Sequence, residues 1–353
     1  MRRRSAILAF LSLLALASFA AAQQRSPRCA PPSARDGEIA SDETTRDRSP
    51  AADDMPAAPL RVHEWGVWQL DASGRLSSRA TVAAEAPAFV HRTPAAASAL
   101  QELTPAPYIP GGNETFDKPV IFLYATAALD VNVTVRVPRG RPWLYFPDAT
   151  LGRIQGAPSL RWTGRALPVG AVETGATLPS VLESAGGAPE LVRGVPGTDW
   201  WNLLRAVGAS PFVPTGAATY ERFLYYDGEA PFPAGFRVRR GVPTPIAGRV
   251  EPVAWQLDGS HWTRLDIRGA TATSTDIGNM VALNVELGGA LARAGLSQPE
   301  INALFSTWGR TLFGGPRRIL WLLPRAAYDA MLPIEIHPAP LELVRVGLVI
   351  QRY

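Results

Sequence analysis

The sequence predicts a mainly β fold, with antiparallel sandwich-like sheets and one helical hairpin over about residues 276–313 in the C-terminal part. Three observations carry this expectation. Short apolar runs recur along the chain, punctuated by Gly, Pro and Asp-Gly pairs, which is how many short strands read. One run alternates: Val131, Val133, Val135 and Val137 are interleaved with Asp130, Asn132, Thr134 and Arg136, giving one apolar and one wet face. Late in the chain the period changes, with Met280, Leu283, Leu287 and Leu291 at helical spacing.

The elements follow in order. Val62–Leu70 reads as a strand. Pro119–Tyr124 is apolar throughout and reads as a strand buried on both faces, and the alternating run follows it. Further strands are expected at Trp143–Pro147, Trp200–Val207, Tyr220–Tyr226, Arg249–Gln256, Trp262–Ile267, Arg318–Leu323, Ile334–His337 and Leu341–Gln351. Turns fall at Asp71–Gly74, Asp227-Gly228 and Asp258-Gly259. The first helix is expected from Asp276 to Ala294, with Gly295 as a left-handed cap. Ser297-Gln298-Pro299-Glu300 is a capping box, opening a helix whose stripe is Ile301, Leu304, Phe305, Trp308 and Leu312. Gly314-Gly315 stop it.

Residues 1–22 have the layout of a secretory signal peptide. Arg2, Arg3 and Arg4 precede an apolar stretch from Ala6 to Phe19, and Ala20-Ala21-Ala22 form a small-residue cleavage site. Residues 23–59 are poor in bulky apolar side chains and read as a disordered linker. Residues 60–353 form the β-rich globular region, with a sub-boundary near 231–235. The expected location is periplasmic or extracellular. No later run is long and apolar enough to span a bilayer, so the mature chain has no expected transmembrane span.

Composition excludes several classes. The chain carries 35 Lys+Arg against 31 Asp+Glu, and without Arg2, Arg3 and Arg4 the balance is 32 against 31. Lys118 is the only lysine. Arginines dispersed among acids do not make the basic face that nucleic acid requires. Cys29, the only cysteine, lies in the linker, so the fold has no internal disulfide and no cysteine-based zinc site or nucleophile in its globular part. Nucleophile-elbow, Walker, dinucleotide and calcium-loop patterns are missing, and the sequence leaves the cofactor unknown.

Three sets of polar residues are candidates for chemistry. His63-Glu64 opens like a zincin motif, but Val67 stands where the second His belongs. On a regular strand His63 and Glu64 point to opposite faces. His63 with Asp199 is the metal-ligand candidate. Glu221 and Glu64, near Trp65, are candidate catalytic carboxylates of a glycoside-hydrolase-like cleft, in which Arg222 or Arg325 would clamp substrate; Trp65, Asp199 and Arg205 are further ligand-binding candidates. Arg325 and Asp329 sit four residues apart, suiting a helical ion pair, and Arg325 could present its fork to a ligand carboxylate. His261 and His337 read as locally hydrogen-bonded.

Taken together, these segments resemble an uncharacterised family of exported proteins from environmental bacteria. The shared series runs Val62-His63-Glu64-Trp65-Gly66, Lys118-Pro119-Val120-Ile121-Phe122-Leu123-Tyr124, Trp200-Trp201 with Arg205, and Glu221-Arg222-Phe223-Leu224-Tyr225-Tyr226. It continues with Thr307-Trp308, Leu323-Pro324-Arg325, Asp329, Leu332-Pro333-Ile334, Pro338-Ala339-Pro340 and Val344-Arg345-Val346. Val67 replaces a family Thr, Asp199 a His, and Asp227 an Arg. The resemblance implies an architecture and a set of suspects but no activity. The function expected is a binding or structural module of the cell envelope, taking an unidentified small molecule or glycan; the alternative is an extracytoplasmic carboxylate- or metal-dependent hydrolase.

Overall fold

The structure is a computed structural model that describes residues 58–70, 87, 89–93, 114–171, 175–181, 199–230, 232, 234–258, 261–313 and 317–353. The signal peptide and residues 23–57 of the expected linker lie outside the described residues. Ala58 and Pro59, also assigned to that linker, already belong to the first strand.

The N-terminal strands are β1 (Ala58–Leu70), β2 (His91–Arg92), β3 (Glu114–Ala125), β4 (Leu129–Arg136), β5 (Arg141–Phe146), β6 (Thr150–Ile154) and β7 (Ala157–Ala166). Helix α1 (Asp199–Arg205) follows, then β8 (Phe212–Pro214), β9 (Leu224–Ala230), β10 (Phe236–Arg239) and β11 (Val242–Pro245). The C-terminal part holds β12 (Val253–Asp258), β13 (His261–Arg268), β14 (Thr271–Gly278), helices α2 (Met280–Arg293) and α3 (Gln298–Phe313), and β15 (Arg318–Leu323). Helix α4 (Arg325–Met331), β16 (Ile334–His337) and β17 (Pro340–Arg352) complete it.

Ten strands make one large sheet in the order β14-β13-β12-β15-β17-β1-β3-β9-β5-β2. Its two halves come from the two sides of residues 231–235 and meet at the β1–β17 pair. That pair is parallel, in register from Arg61↔Glu342 to Leu70↔Gln351, whereas the other pairings of the sheet are antiparallel. Both strands are buried along most of their length, which is why neither shows simple alternation.

Each face of this sheet has its own core. On one face Trp65, Val67, Phe122 and Val346 pack with residues of α1, α2 and α3. On the other face Val62, Trp68, Ile121 and Tyr226 pack with Val131, Val133, Leu160 and Trp162 of a second, antiparallel sheet, β16-β4-β7-β6. The fold is therefore mainly β, stacked sheets with a helical hairpin. Among the described residues, no helix is long and apolar enough to cross a membrane.

Three local expectations are corrected. Trp200–Val207 is helical over α1 rather than extended, because Trp200, Trp201 and Leu204, all buried, line one side of a helix. The strand expected at Tyr220–Tyr226 begins only at Leu224; Glu221 makes an isolated bridge to Phe212. The first helix of the hairpin starts at Met280, since Asp276 belongs to β14. Asn279 caps it, its Oδ1 accepting from the amides of Val281 (2.9 Å) and Ala282 (3.3 Å).

Candidate functional site

His63 and Glu64 project to opposite faces of β1 and enter different environments. Glu64 faces the second sheet and is fully buried. Its register partner on β17 is Arg345, whose Nε donates to Glu64 Oε2 at 2.5 Å. Tyr226 of β9 and Tyr328 of α4 both donate their hydroxyls to Oε1, the latter at 3.0 Å. Burial, then the negative charge of Glu64, push both phenols well above their usual range, so they remain donors. Burial alone would lower Arg345, but the facing Glu64 outweighs it and holds the guanidinium above its ordinary value.

Arg345 carries this network outward. Its Nη1 donates to Asp329 (2.7 Å), its Nη2 to the Leu332 carbonyl (2.7 Å), and its guanidinium lies 4.3 Å from the Tyr328 ring centre. Asp329 in turn accepts from Arg325 Nε at 2.8 Å, and Arg325 Nη1 donates to the Leu343 carbonyl at 2.9 Å. Glu64, Asp329 and Arg325, three of the residues singled out from the sequence, thus belong to one chain of charges running from the core to the surface.

His63 faces the helices. Its Nδ1 bonds the buried carboxylate of Glu300 at 3.0 Å, and its ring meets Tyr124 edge-on at 5.0 Å. His63 Nε2 has no hydrogen-bond partner among the described residues; Glu342 lies 4.0 Å away. Glu300 also accepts from the amide and hydroxyl of Ser297, both at 2.7 Å. In the capping box the Glu therefore reaches back as expected, while the Ser hydroxyl donates to the Glu instead of capping the helix. Burial raises the Glu300 carboxyl, but the His63 hydrogen bond and charge and the Ser297 bonds together hold it below the usual range.

Glu221 is fully buried elsewhere. It accepts from Trp201 Nε1 (2.8 Å), from Arg205 Nη2 (2.7 Å) and Nε (3.0 Å), and from the Arg222 amide (2.8 Å). Helix α1 supplies both Trp201 and Arg205. Asp199 is its first residue, and the Asp199 side chain lies outside the described residues. Trp65 is a core residue against Phe122. The two candidate carboxylates thus sit in different environments, each neutralised by its own arginine. Among the described residues, no three His, Cys, Asp or Glu side chains group as metal ligands do. His261 and His337 pair locally with Asp276 (2.8 Å) and Glu335 (2.7 Å).

The concave feature beside this network is a cavity of about 490 Å³, within the range of small-molecule sites. Its wall includes Arg293, Arg325, Arg345, Glu251 and Trp255. Three cations thus stand around one acid. Arg345 is saturated by its own partners, whereas Arg293, at the end of α2, is exposed and makes no hydrogen bond or ion pair among the described residues. Arg325 is held at Nε and Nη1, leaving Nη2 unbonded among them. The sequence reading reached Arg325 but missed Arg293, Arg345, Glu251 and Trp255. For Arg345 a signal existed: one arginine inside Val344-Arg345-Val346, an otherwise apolar strand.

Comparison with known proteins yields no counterpart: no family model, no curated protein and no solved structure matches the chain.

Proposed function

We propose that the protein is an exported binding module of the cell envelope, taking a small carboxylate-bearing ligand in the cavity beside Arg325. The observation that carries this reading is the preset arginine. Asp329 and the Leu343 carbonyl fix two edges of the Arg325 guanidinium, and a fork held in advance loses little freedom when it meets a carboxylate. Arg293 adds positive charge to the same wall.

The glycan and hydrolase readings have less behind them. All ten tryptophans are buried, so none offers an open ring for a sugar to stack on. Glu64 and Glu221 are each bound to an arginine and do not face one another across a cleft.

The test is a thermal-shift and calorimetric screen of the purified globular region against mono- and dicarboxylic acids. A binder should raise the melting temperature, and Arg325→Gln should remove the shift while leaving the unliganded protein folded. No shift with any acid, or an unchanged shift in Arg325→Gln, would sink the reading.

A further inference from the structure

Resting on that acid-binding reading, we infer that the ligand is the C-terminal end of an extended peptide, bound as an added strand in a slot within the large sheet. The slot arises because β15 is short. It pairs with β17 only from Gly347 to Arg352 and with β12 only from Ala254 to Leu257. At Leu323 the chain leaves the sheet, since Pro324 turns it into α4. β17 continues past that point: Leu343 to Val346 keep β1 as a neighbour on one side and, among the described residues, have no strand on the other.

The cavity lies at this place. Its wall is made by Leu343–Val346 on one side, the chain leading into β12 on the other, and the end of β15 at its closed end. β12 and β17 are both neighbours of β15, so two strand spacings, roughly 9.5 Å, separate their lines. One extended chain fills that width. The open stretch of β17 is four residues long, or about 13 Å at the usual strand rise. The size fits a short peptide end, and the mode is strand addition to a free edge.

Charge sets the direction. Continuing the antiparallel order of β12, β15 and β17, the peptide enters beside Leu323 and runs toward Leu343. Its last residue then arrives where Arg325 is anchored on the Leu343 carbonyl, with Arg293 nearby on the same wall. A terminal carboxylate there meets two cations. The buried indole N–H of Trp255, also in the wall, has no partner among the described residues and is a further donor for the peptide.

The experiment uses a randomised tetrapeptide library with free C-termini, the same library as C-terminal amides, and succinate as a small acid. Retention on the immobilised protein is read by mass spectrometry, and retained peptides are then measured singly by calorimetry. We expect free-acid peptides to be retained and their amides to bind about tenfold more weakly or worse. N-methylation of the residue before the last should cause a comparable loss through the missing strand hydrogen bond, and Arg325→Gln should reproduce the amide result. If succinate binds as tightly as the best peptide, or N-methylated peptides bind as well as unmethylated ones, strand addition is wrong while the acid site stands. If amides bind as well as free acids, the carboxylate reading falls and the inference with it. If neither peptides nor acids bind, both readings fall together.

Discussion

Glu64 and Arg345 occupy the same register position on two parallel neighbours, β1 and β17, and their ion pair is completely enclosed between the two sheets. Desolvating both charges costs several kcal/mol per ion, so the pair holds its place through its hydrogen bonds rather than through net attraction. Glu64 receives three donors, and each arm of the Arg345 guanidinium has an acceptor.

Removing one member should therefore be far worse than removing both. Glu64→Gln and Arg345→Met are each expected to destabilise the fold by about 3–5 kcal/mol, through the charge left unpaired in the core. The double change Glu64→Leu with Arg345→Met should cost much less than the two singles added together. Urea denaturation of the variants measures this, and strict additivity would contradict the coupling.

Glu300 gives the acid limb of the stability profile. Its carboxyl is held below its ordinary value of 4.5, so the folded state binds that proton less readily than the unfolded chain. The stabilisation is complete above about pH 4.5 and disappears as pH falls through the lowered value. The stability gap between the native protein and Glu300→Gln should be widest near neutral pH and narrow in acid. A gap independent of pH from neutrality down to strongly acid conditions would refute this.

Tyr124 acts at the other end. Burial, then the charge of Glu300, raise its phenol far above the ordinary 10.0, so the folded state retains that proton. Its contribution is complete below pH 10 and is lost as the solution becomes more alkaline. Tyr124→Phe should flatten the alkaline fall in stability, which thermal melts between pH 8 and 11 would reveal.

At Gly140 and Gly164 the neighbouring backbone leaves room only for a hydrogen. A Cβ at Gly140 would run into the Glu229 backbone, and one at Gly164 into the Val213 carbonyl between β7 and β8. Gly152 differs, since its Cβ would meet only Ser159 Oγ at 3.5 Å, an ordinary contact. Gly140→Ala and Gly164→Ala should each cost about 1–3 kcal/mol, as overpacking does, while Gly152→Ala should be near neutral. Equal effects at all three sites would show that the backbone relaxes.

What the sequence disclosed and what it hid follow from the range of each interaction. The strand at Val62–Leu70, the opposed His63 and Glu64, and the Ser297–Glu300 contact depend on neighbours within a few residues, and periodicity exposes those. The strands β6 and β14 escaped notice because their residues are largely exposed, leaving no apolar alternation to see. Helix α1 was mistaken for a strand because seven residues with adjacent tryptophans are too short to display a period. The Arg345 partnership lay deepest: 281 positions separate it from Glu64, and nothing local to either residue announces the other.

The parallel pairing at the middle of the sheet also sets an order in time. β1 is laid down first among the described strands and β17 last, so during synthesis the central seam is the final contact to become available. Until then each half of the sheet carries an unpaired edge rich in buried-type residues, the kind of surface that recruits other chains. Contacts this distant in sequence also slow folding. Loss of β17 would leave β1 and β15 as two bare edges at the centre of the molecule, a template for aggregation.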